Sequence, residues 1–308
     1  MTPETTFFDI QVNGYAGVDF NRDGMTADQL RTACERLAAD GVVGILATII
    51  TDDLDAMRRK LANLAMLRER DPLAREMIAG FHIEGPFINE SDGYRGAHKQ
   101  SAITPATPDA MQGLLDAAQG LTRLVTLAPE RDTGLKTTRM LAQRGITVSA
   151  GHSNASLDDL RAAIDAGLSM FTHLGNGCPM MMHRHDNIIQ RALQFADELT
   201  LCFIADGAHI PFPALSNYLR LANLEKTIVT TDCISPAGLG PGRYTLGYWE
   251  IEVGEDMVVW APDKSHFVGS GITMKQSAAN LREKLGLPEN VVRQLICENP
   301  RRFLNRML

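Results

Sequence analysis

Short apolar runs alternate with helix-like segments along almost the whole chain, and this alternation is the strongest constraint on the fold. Eight strands separated by helices predict a parallel α/β structure, a (β/α)8 barrel of the TIM type, better than a doubly wound open sheet. The length of 308 residues suits a single catalytic barrel domain spanning 1–308. The predicted strands are Phe7–Val12, Val42–Ile50, Met77–Ile83, Leu124–Leu127, Ile146–Ala150, Leu168–Thr172, Leu199–Ala205 and Thr227–Thr230.

Two stretches interrupt the alternation of strands and helices. Glu90 to Pro108 is a polar, glycine-containing loop directly after the third strand, and loops of that length are usually functional or mobile. Leu239 to Phe267 alternates apolar with polar residues and contains several glycines, which predicts a β-hairpin excursion after the eighth strand. Asp52 to Arg70 is predicted to be a helix whose N-cap lies in Thr51-Asp52-Asp53, and the tail from Thr273 is helical.

Composition excludes several classes of partner. The net charge of −7 argues against general affinity for nucleic acid or for an anionic membrane surface, because both need clustered Lys and Arg. No apolar run approaches the roughly 20 residues that span a bilayer, and the N-terminus lacks a secretory signal, so we expect a cytoplasmic protein. The five cysteines are scattered without a Cys-x-x-Cys pair, which indicates neither a disulfide framework nor a thiolate zinc site.

Three residues at the ends of predicted strands are candidate metal ligands. Glu84 follows the third strand, His152 the fifth and His173 the sixth. In a parallel barrel the carboxyl ends of all strands meet at one rim, so a carboxylate and two imidazoles can converge on one Zn²⁺-like ion. A single strand-end His is usually only hydrogen-bonded, but three such residues together predict a metal site.

Asp232 closes the eighth predicted strand and is the candidate general base. Next to a metal, it can take a proton from water and deliver that proton to a leaving amine. The alternative is a turn or N-cap aspartate, which we would prefer if the residue stood alone. Gln11 and Asn13 end the first strand, where many metal-dependent hydrolases carry His-x-His. Since amides are poor zinc ligands, we expect no second metal.

Several motifs occur in order along the chain. They are Gln11-Val12-Asn13-Gly14, His82-Ile83-Glu84-Gly85-Pro86-Phe87, Gly96-Ala97-His98, Gly151-His152-Ser153-Asn154, Thr172-His173-Leu174-Gly175-Asn176, Asp206-Gly207-Ala208-His209, Thr231-Asp232 and Gly269-Ser270-Gly271-Ile272-Thr273-Met274. Taken together, these motifs resemble the N-acetylglucosamine-6-phosphate deacetylase family of the amidohydrolase superfamily, and the resemblance runs from about Phe7 to Pro300.

The resemblance implies an enzyme of amino sugar metabolism that hydrolyses N-acetylglucosamine 6-phosphate to glucosamine 6-phosphate and acetate. It implies one divalent metal, usually zinc, and a homodimer in which the arginine matching Arg184 reaches the sugar phosphate of a neighbouring subunit. The implied metal ligands are Glu84, His152 and His173, the implied catalytic residue is Asp232, and the implied substrate-site residues are His98, Asn176, Gly177, Arg184 and His209.

The chain departs from the family pattern at its ends. Family members usually carry a small β-sandwich built from residues before the first strand and after the last helix, and here we expect it to be absent or reduced to the Leu239 to Phe267 hairpin. His183 or His185 could bind phosphate instead of Arg184. Two other functions stay open: an amidohydrolase that acts on a different N-acyl amine, and a catalytically silent sugar-phosphate-binding barrel.

Overall fold

Eight parallel strands form the central sheet, and each pairs with its neighbour in the sequence. The structure, a computed structural model, describes residues 6–246, 249–254, 257–260 and 267–305. This order confirms the predicted TIM-type barrel. The strands are β1 (Phe7–Val12), β2 (Val42–Ile50), β3 (Ile78–Glu84), β4 (Thr122–Leu127), β5 (Thr147–Ala150), β6 (Leu168–Phe171), β7 (Thr200–Ile204) and β8 (Thr227–Thr230).

A buried carboxylate joins the first barrel strand to the last. Asp9 on β1 is 1% exposed and accepts hydrogen bonds from the hydroxyls of Thr230 and Thr231 at the end of β8. Just beyond, the backbone N–H of Asn13 donates to the carbonyl of Cys233 at 2.8 Å. Burial raises the pKa of Asp9, and the hydroxyl donors oppose that shift. Side chains and a short backbone contact therefore bring β1 and β8 together.

Helices follow most of the strands, and several of them begin with a side-chain N-cap. Thr26 and Gln29 form a capping box at the first helix. The second helix begins at Leu54, not at the predicted Asp52, and Asp53 occupies its N-cap without a side-chain hydrogen bond. The α-helices are α1 (Ala27–Ala39), α2 (Leu54–Arg70), α3 (Pro72–Met77), α4 (Pro108–Ala117), α5 (Lys136–Gln143), α6 (Leu157–Asp165), α7 (Ile188–Leu193), α8 (Phe212–Leu221), α9 (Met274–Glu283), α10 (Glu289–Arg293) and α11 (Asn299–Asn305).

A four-stranded antiparallel sheet follows β8 and extends the predicted hairpin by two strands. Its strands are β9 (Gly242–Leu246), β10 (Trp249–Val253), β11 (Val258–Trp260) and β12 (Phe267–Ser270). Ile234, Ile251, Val259 and Val268 are among the residues of a small separate core. Within the predicted hairpin, 247–248, 255–256 and 261–266 lie outside the described residues. The assignment of 1–308 to one domain stays a prediction. Among the described residues, no helix is both long enough and apolar enough to span a membrane.

Candidate metal centre and active site

Four predicted site residues lie at the carboxyl rim of the barrel. Glu84 is the last residue of β3, and His152, His173 and Asp232 each come two residues after β5, β6 and β8. His152 has φ +51°, His173 φ +31° and Asp232 φ +51°. Left-handed backbone is uncommon in residues other than glycine and is found preferentially at functional sites. At each of these strand ends the backbone is thus strained where a polar side chain leaves the sheet.

Glu84 is the centre of the cluster. Its Oε1 lies 2.9 Å from Nε2 of His173 and 3.4 Å from Nε2 of His152, and its Oε2 accepts a hydrogen bond from Gln11 Nε2 at 3.0 Å. Burial opposes ionisation of Glu84, but the two imidazoles beside its Oε1 outweigh burial and hold the pKa of Glu84 well below the usual value. Glu84 is therefore an anion at neutral pH, although its side chain is 3% exposed.

His152 is oriented by the long loop after β3. Its Nδ1 lies 2.7 Å from the carbonyl oxygen of Tyr94, which can only accept, so Nδ1 carries a proton. Its Nε2 lies 3.2 Å from Nε2 of His98, a residue of the same loop. Nδ1 of His98 lies 2.6 Å from the hydroxyl of Thr51, which directly follows β2. The loop thus brings a second imidazole next to His152.

The cluster suits a divalent cation. Ligand atoms of Glu84, His98 and His152 lie within 4.8 Å of one another, and His173 approaches the same carboxylate oxygen of Glu84. In neutral His152 the Nε2 lone pair lies beside the Glu84 carboxylate, a repulsive arrangement that a cation would reverse. Nδ1 of His173 is buried and has no hydrogen-bond partner among the described residues. A carboxylate with imidazoles is a donor set typical of zinc and related ions.

Asp232 lies beside this cluster and is held by Asn13, which directly follows β1. Its Oδ1 accepts a hydrogen bond from Asn13 Nδ2 at 2.8 Å. Burial, and next the negative charge of Glu84, raise the pKa of Asp232 to about 7. A carboxylate whose pKa lies near neutrality is suited to taking up and releasing a proton.

His209 forms a buried pair with Asp206 just past β7. His209 Nδ1 lies 2.5 Å from Asp206 Oδ2, and Asp206 Oδ1 accepts hydrogen bonds from the backbone N–H groups of Ala208 and His209. Burial opposes the charge of Asp206, but the His209 hydrogen bond and charge outweigh it and lower the pKa of Asp206. The ring of His209 packs against Phe267 of β12 at 4.8 Å between centroids. The small sheet therefore contacts a predicted substrate residue.

Asn176 and Gly177 lie in the loop after β6, close to the cluster. Asn176 Nδ2 donates to the carbonyl of His173 at 3.2 Å. Gly177 has φ +59°, and a Cβ added there would lie 2.7 Å from Nδ1 of His152. Only glycine combines that backbone with so close an approach to the imidazole.

Arg184 is the predicted site residue that the structure does not connect to the others. It is exposed and forms no ion pair or hydrogen bond with any residue in the described part of the chain. Met180 and Met181, in the same loop, are 99% and 91% exposed. His183 and His185 are also exposed, and His183 Nδ1 accepts from the backbone N–H of Asp186 at 2.8 Å.

Sequence reasoning missed two residues that hold His98 and His152. Thr51 directly follows the barrel strand β2, so the same strand-end rule that selected Glu84 applies to it. Tyr94 contributes a backbone carbonyl, for which side-chain motifs give no signal.

Known proteins that the chain resembles in sequence and in structure include deacetylases of amino sugar phosphates. No family model matches the chain. The chain is 33% identical to N-acetylglucosamine-6-phosphate deacetylase of Bos taurus over 254 residues, 80% of this chain and 61% of that protein. It is 32% identical to N-acetylgalactosamine-6-phosphate deacetylase of Shewanella sp. (strain ANA-3) over 303 residues, 97% of this chain and 73% of that protein. A crystal structure of N-acetyl-D-glucosamine-6-phosphate deacetylase from Mycobacterium smegmatis matches with a TM-score of 0.87 and 27% identity, covering 98% of this chain and 78% of that one.

A TIM-type barrel that brings a carboxylate, imidazoles and an aspartate to its carboxyl rim has the groups that a metal-dependent hydrolase needs. The chain belongs to the family of N-acetylglucosamine-6-phosphate and N-acetylgalactosamine-6-phosphate deacetylases. This confirms the resemblance seen in the sequence motifs. The chain spans about 61% of the length of the Bos taurus relative.

Proposed function

We propose that this chain is a metal-dependent hydrolase that removes the N-acetyl group of an amino sugar 6-phosphate. Its substrate is N-acetylglucosamine 6-phosphate, and its products are glucosamine 6-phosphate and acetate. One observation carries the proposal: in a chain of this family, Nε2 of His152 and Nε2 of His173 both lie within 3.4 Å of Glu84 Oε1, at the rim that also carries Asp232.

Glu84, His152 and His173 would hold the cation, and we propose zinc because carboxylate and imidazole ligands suit it. When bound there, the ion supplies positive charge that polarises the acyl carbonyl and lowers the pKa of water. Glu84 contributes the negative charge, and Gln11 fixes one of its oxygens through a 3.0 Å hydrogen bond. Tyr94 holds the ring of His152 by its Nδ1–H, which leaves Nε2 as the ligand atom.

Asp232 moves the proton. Asn13 occupies Oδ1, and Oδ2 has no hydrogen-bond partner among the described residues, so Oδ2 is the proposed base atom. It takes the proton of the attacking water and gives it to the amine nitrogen as the C–N bond breaks. A pKa of about 7 in the metal-free site lets the group exist in both forms near neutrality.

The substrate is oriented by residues around this centre. His98 donates to the acyl oxygen, and His209, held by Asp206, binds a sugar hydroxyl. Asn176 and Gly177 line the same side, because the loop that carries them packs against His152 and His173.

Phosphate binding and assembly extend the proposal beyond the centre. The guanidinium of Arg184 suits bidentate phosphate binding. Because Arg184 is exposed in a loop with two exposed methionines, we propose that it acts on the substrate of a partner subunit in a homodimer. Location in the cytoplasm stays a prediction from the sequence.

N-acetylgalactosamine 6-phosphate is a second candidate substrate. The Shewanella relative, which matches 97% of this chain, carries that name. The two sugars differ only in the orientation of one hydroxyl, so both candidates use the same centre and the same chemistry.

The test is acetate release from the two sugar phosphates and from N-acetylglucosamine without phosphate. The wild-type chain is compared with Asp232→Asn and with Asp165→Asn, a control on an exposed carboxylate of α6. We expect release by the wild type and the control and its loss in Asp232→Asn by at least about a thousandfold, as for removal of a general base. Release that persists in Asp232→Asn would contradict the proposed role. No release by the wild type from any of the three would overturn the function.

A further inference from the structure

A chain of three hydrogen bonds runs from β2 through the candidate centre to the long loop after β3. The hydroxyl of Thr51 lies 2.6 Å from His98 Nδ1. His98 Nε2 lies 3.2 Å from His152 Nε2, and His152 Nδ1 lies 2.7 Å from the Tyr94 carbonyl. Thr51, His98 and His152 are all buried.

Which atom donates in each of these three hydrogen bonds follows from the last one, between His152 and the Tyr94 carbonyl. The Tyr94 carbonyl can only accept, so Nδ1 of His152 is protonated, and in the neutral imidazole Nε2 is then a lone pair. Neutral His152 is the form that binds a metal. His98 Nε2 can bond to that lone pair only if it carries a proton itself. Nδ1 of His98 is then unprotonated, so the Thr51 hydroxyl must be the donor.

The Thr51 hydroxyl has a second acceptor within reach, but a weaker one. It lies 3.4 Å from the carbonyl oxygen of Glu84, at the outer limit for a hydrogen bond between oxygens. The 2.6 Å contact with His98 is the stronger alternative. Space for the hydroxyl depends on Gly85, which has φ +81° and where an added Cβ would lie 2.1 Å from Thr51 Oγ1. The backbone at Gly85 therefore leaves room for the hydroxyl of Thr51.

The loop that carries His98 is fastened beside the same contact. Lys99 Nζ donates to Asp52 Oδ1 at 3.0 Å and to Asp53 Oδ2 at 2.7 Å. Two consecutive residues of the loop, His98 and Lys99, thus contact the segment 51–53 that follows β2.

We propose that Thr51 is a positioning residue that holds His98 as its Nε2–H tautomer and so sets it to donate a hydrogen bond to the acyl oxygen of the substrate. His98 and the three metal ligands keep the roles that the proposed function gives them, and the new element is the hydroxyl of Thr51. The donor role of His98 rests on the proposed function, whereas the tautomer is a property of the protein alone. The hydroxyl acts through His98 and touches no reacting atom.

The direct test is the tautomer of His98, measured by ¹⁵N NMR of histidine-labelled, metal-free protein at about pH 8, well above the lowered pKa of the buried His98 imidazole. His98→Asn provides the assignment. We expect Nε2 to be protonated and Nδ1 unprotonated. A proton on Nδ1 of His98 in the wild type would overturn the proposal, whether or not the protein releases acetate.

Substitutions at Thr51 extend the test to turnover. Thr51→Val removes the hydroxyl at nearly constant volume, and Thr51→Ser keeps it. Thr122→Val is the control, because Thr122 is a buried threonine whose hydroxyl has no partner among the described residues. We expect Thr51→Val to lower kcat about tenfold or more with a smaller change in KM, since the donated hydrogen bond strengthens in the transition state.

Thr51→Ser and Thr122→Val should retain kcat within about twofold, and unfolding of the metal-free variants checks that Thr51→Val is folded. An unchanged kcat in folded Thr51→Val, or an equal loss in Thr51→Ser, would contradict the positioning role. If the wild type releases no acetate, the proposed function is wrong. The NMR measurement then decides the tautomer of His98 by itself.

Discussion

Asn13 donates a hydrogen bond from its side-chain Nδ2 to Oδ1 of Asp232 at 2.8 Å. The two residues follow β1 and β8, the strands at which the barrel closes. In the sequence, Asn13 indicated that a second metal ligand is missing from the first strand. In the structure the same amide orients the proposed general base, so the position has a role in the site that does not require a second metal.

Replacing Asn13 tests this orientation. Asn13→Leu removes the donor and leaves Asp232 free to rotate, and we expect kcat for acetate release to fall about tenfold, the effect of one lost hydrogen bond to a charged group. Asn290→Leu, on an exposed asparagine of α10, is the control. Steady-state kinetics measure both variants. A kcat within twofold of the wild type in Asn13→Leu would show that the hydrogen bond does not orient the base.

The raised pKa of Asp232 also predicts how the stability of the metal-free protein varies with pH. Burial first, and then the charge of Glu84, raise its folded pKa from 3.8 to about 7. The folded state therefore binds the proton more tightly than the unfolded state, so this group lowers the free energy of unfolding as pH rises from about 4 to 7. Asp232→Asn should reduce that decline, measured by urea denaturation at pH 5 and pH 7 with chelator present. The same decline in both proteins would contradict the assignment.

The residues at the barrel rim could be predicted from the sequence because two features mark the end of such a strand. An apolar run ends, and a polar side chain is followed or preceded by glycine, as at Gly151-His152 and Glu84-Gly85. Since parallel strands carry their carboxyl ends to one rim, Glu84, His152 and His173 could be placed together without coordinates. Their metal role itself stays a proposal.

Other features left no such signal. The Tyr94 contact uses a backbone carbonyl, and the Asp9 contacts that close the barrel join residues more than two hundred positions apart. The small sheet was predicted only as a hairpin, because β11 has just three residues and gives too short a pattern. Packing of Phe267 against His209 depends on how that sheet lies on the barrel, which local sequence does not encode.

Lys99 is expected to keep the His98 loop closed. Its pairs with Asp52 and Asp53 are solvent-accessible and therefore screened by salt. Lys99→Met should speed trypsin cleavage after Arg95 about two- to fivefold at low salt, in line with a weak exposed pair. The control, Arg58→Met, removes an exposed pair with Asp55 on α2.

Salt provides the internal check of this prediction. Added salt should accelerate cleavage of the wild type and leave Lys99→Met nearly unchanged, because the screened interaction is already missing from the variant. Equal salt dependence in the two proteins would contradict the role of Lys99.

Arg184 carries the proposal about phosphate. Arg184→Met should raise KM for N-acetylglucosamine 6-phosphate about tenfold or more while leaving KM for N-acetylglucosamine unchanged, because only the phosphate loses its charge partner. Arg220→Met, on α8, is the control for loss of a cation. If phosphate selectivity survives in Arg184→Met, another group binds the phosphate, and His183 and His185 are the next positions to replace.

We propose that a divalent metal bound by Glu84, His152 and His173 is required for acetate release. The most direct measurement is elemental analysis of purified protein, paired with acetate release from N-acetylglucosamine 6-phosphate before and after chelation and after metal is restored. We predict about one zinc ion per chain, loss of release on chelation, recovery with metal, and no retained zinc in Glu84→Gln. Full acetate release by protein that contains no metal would contradict the proposed metal requirement.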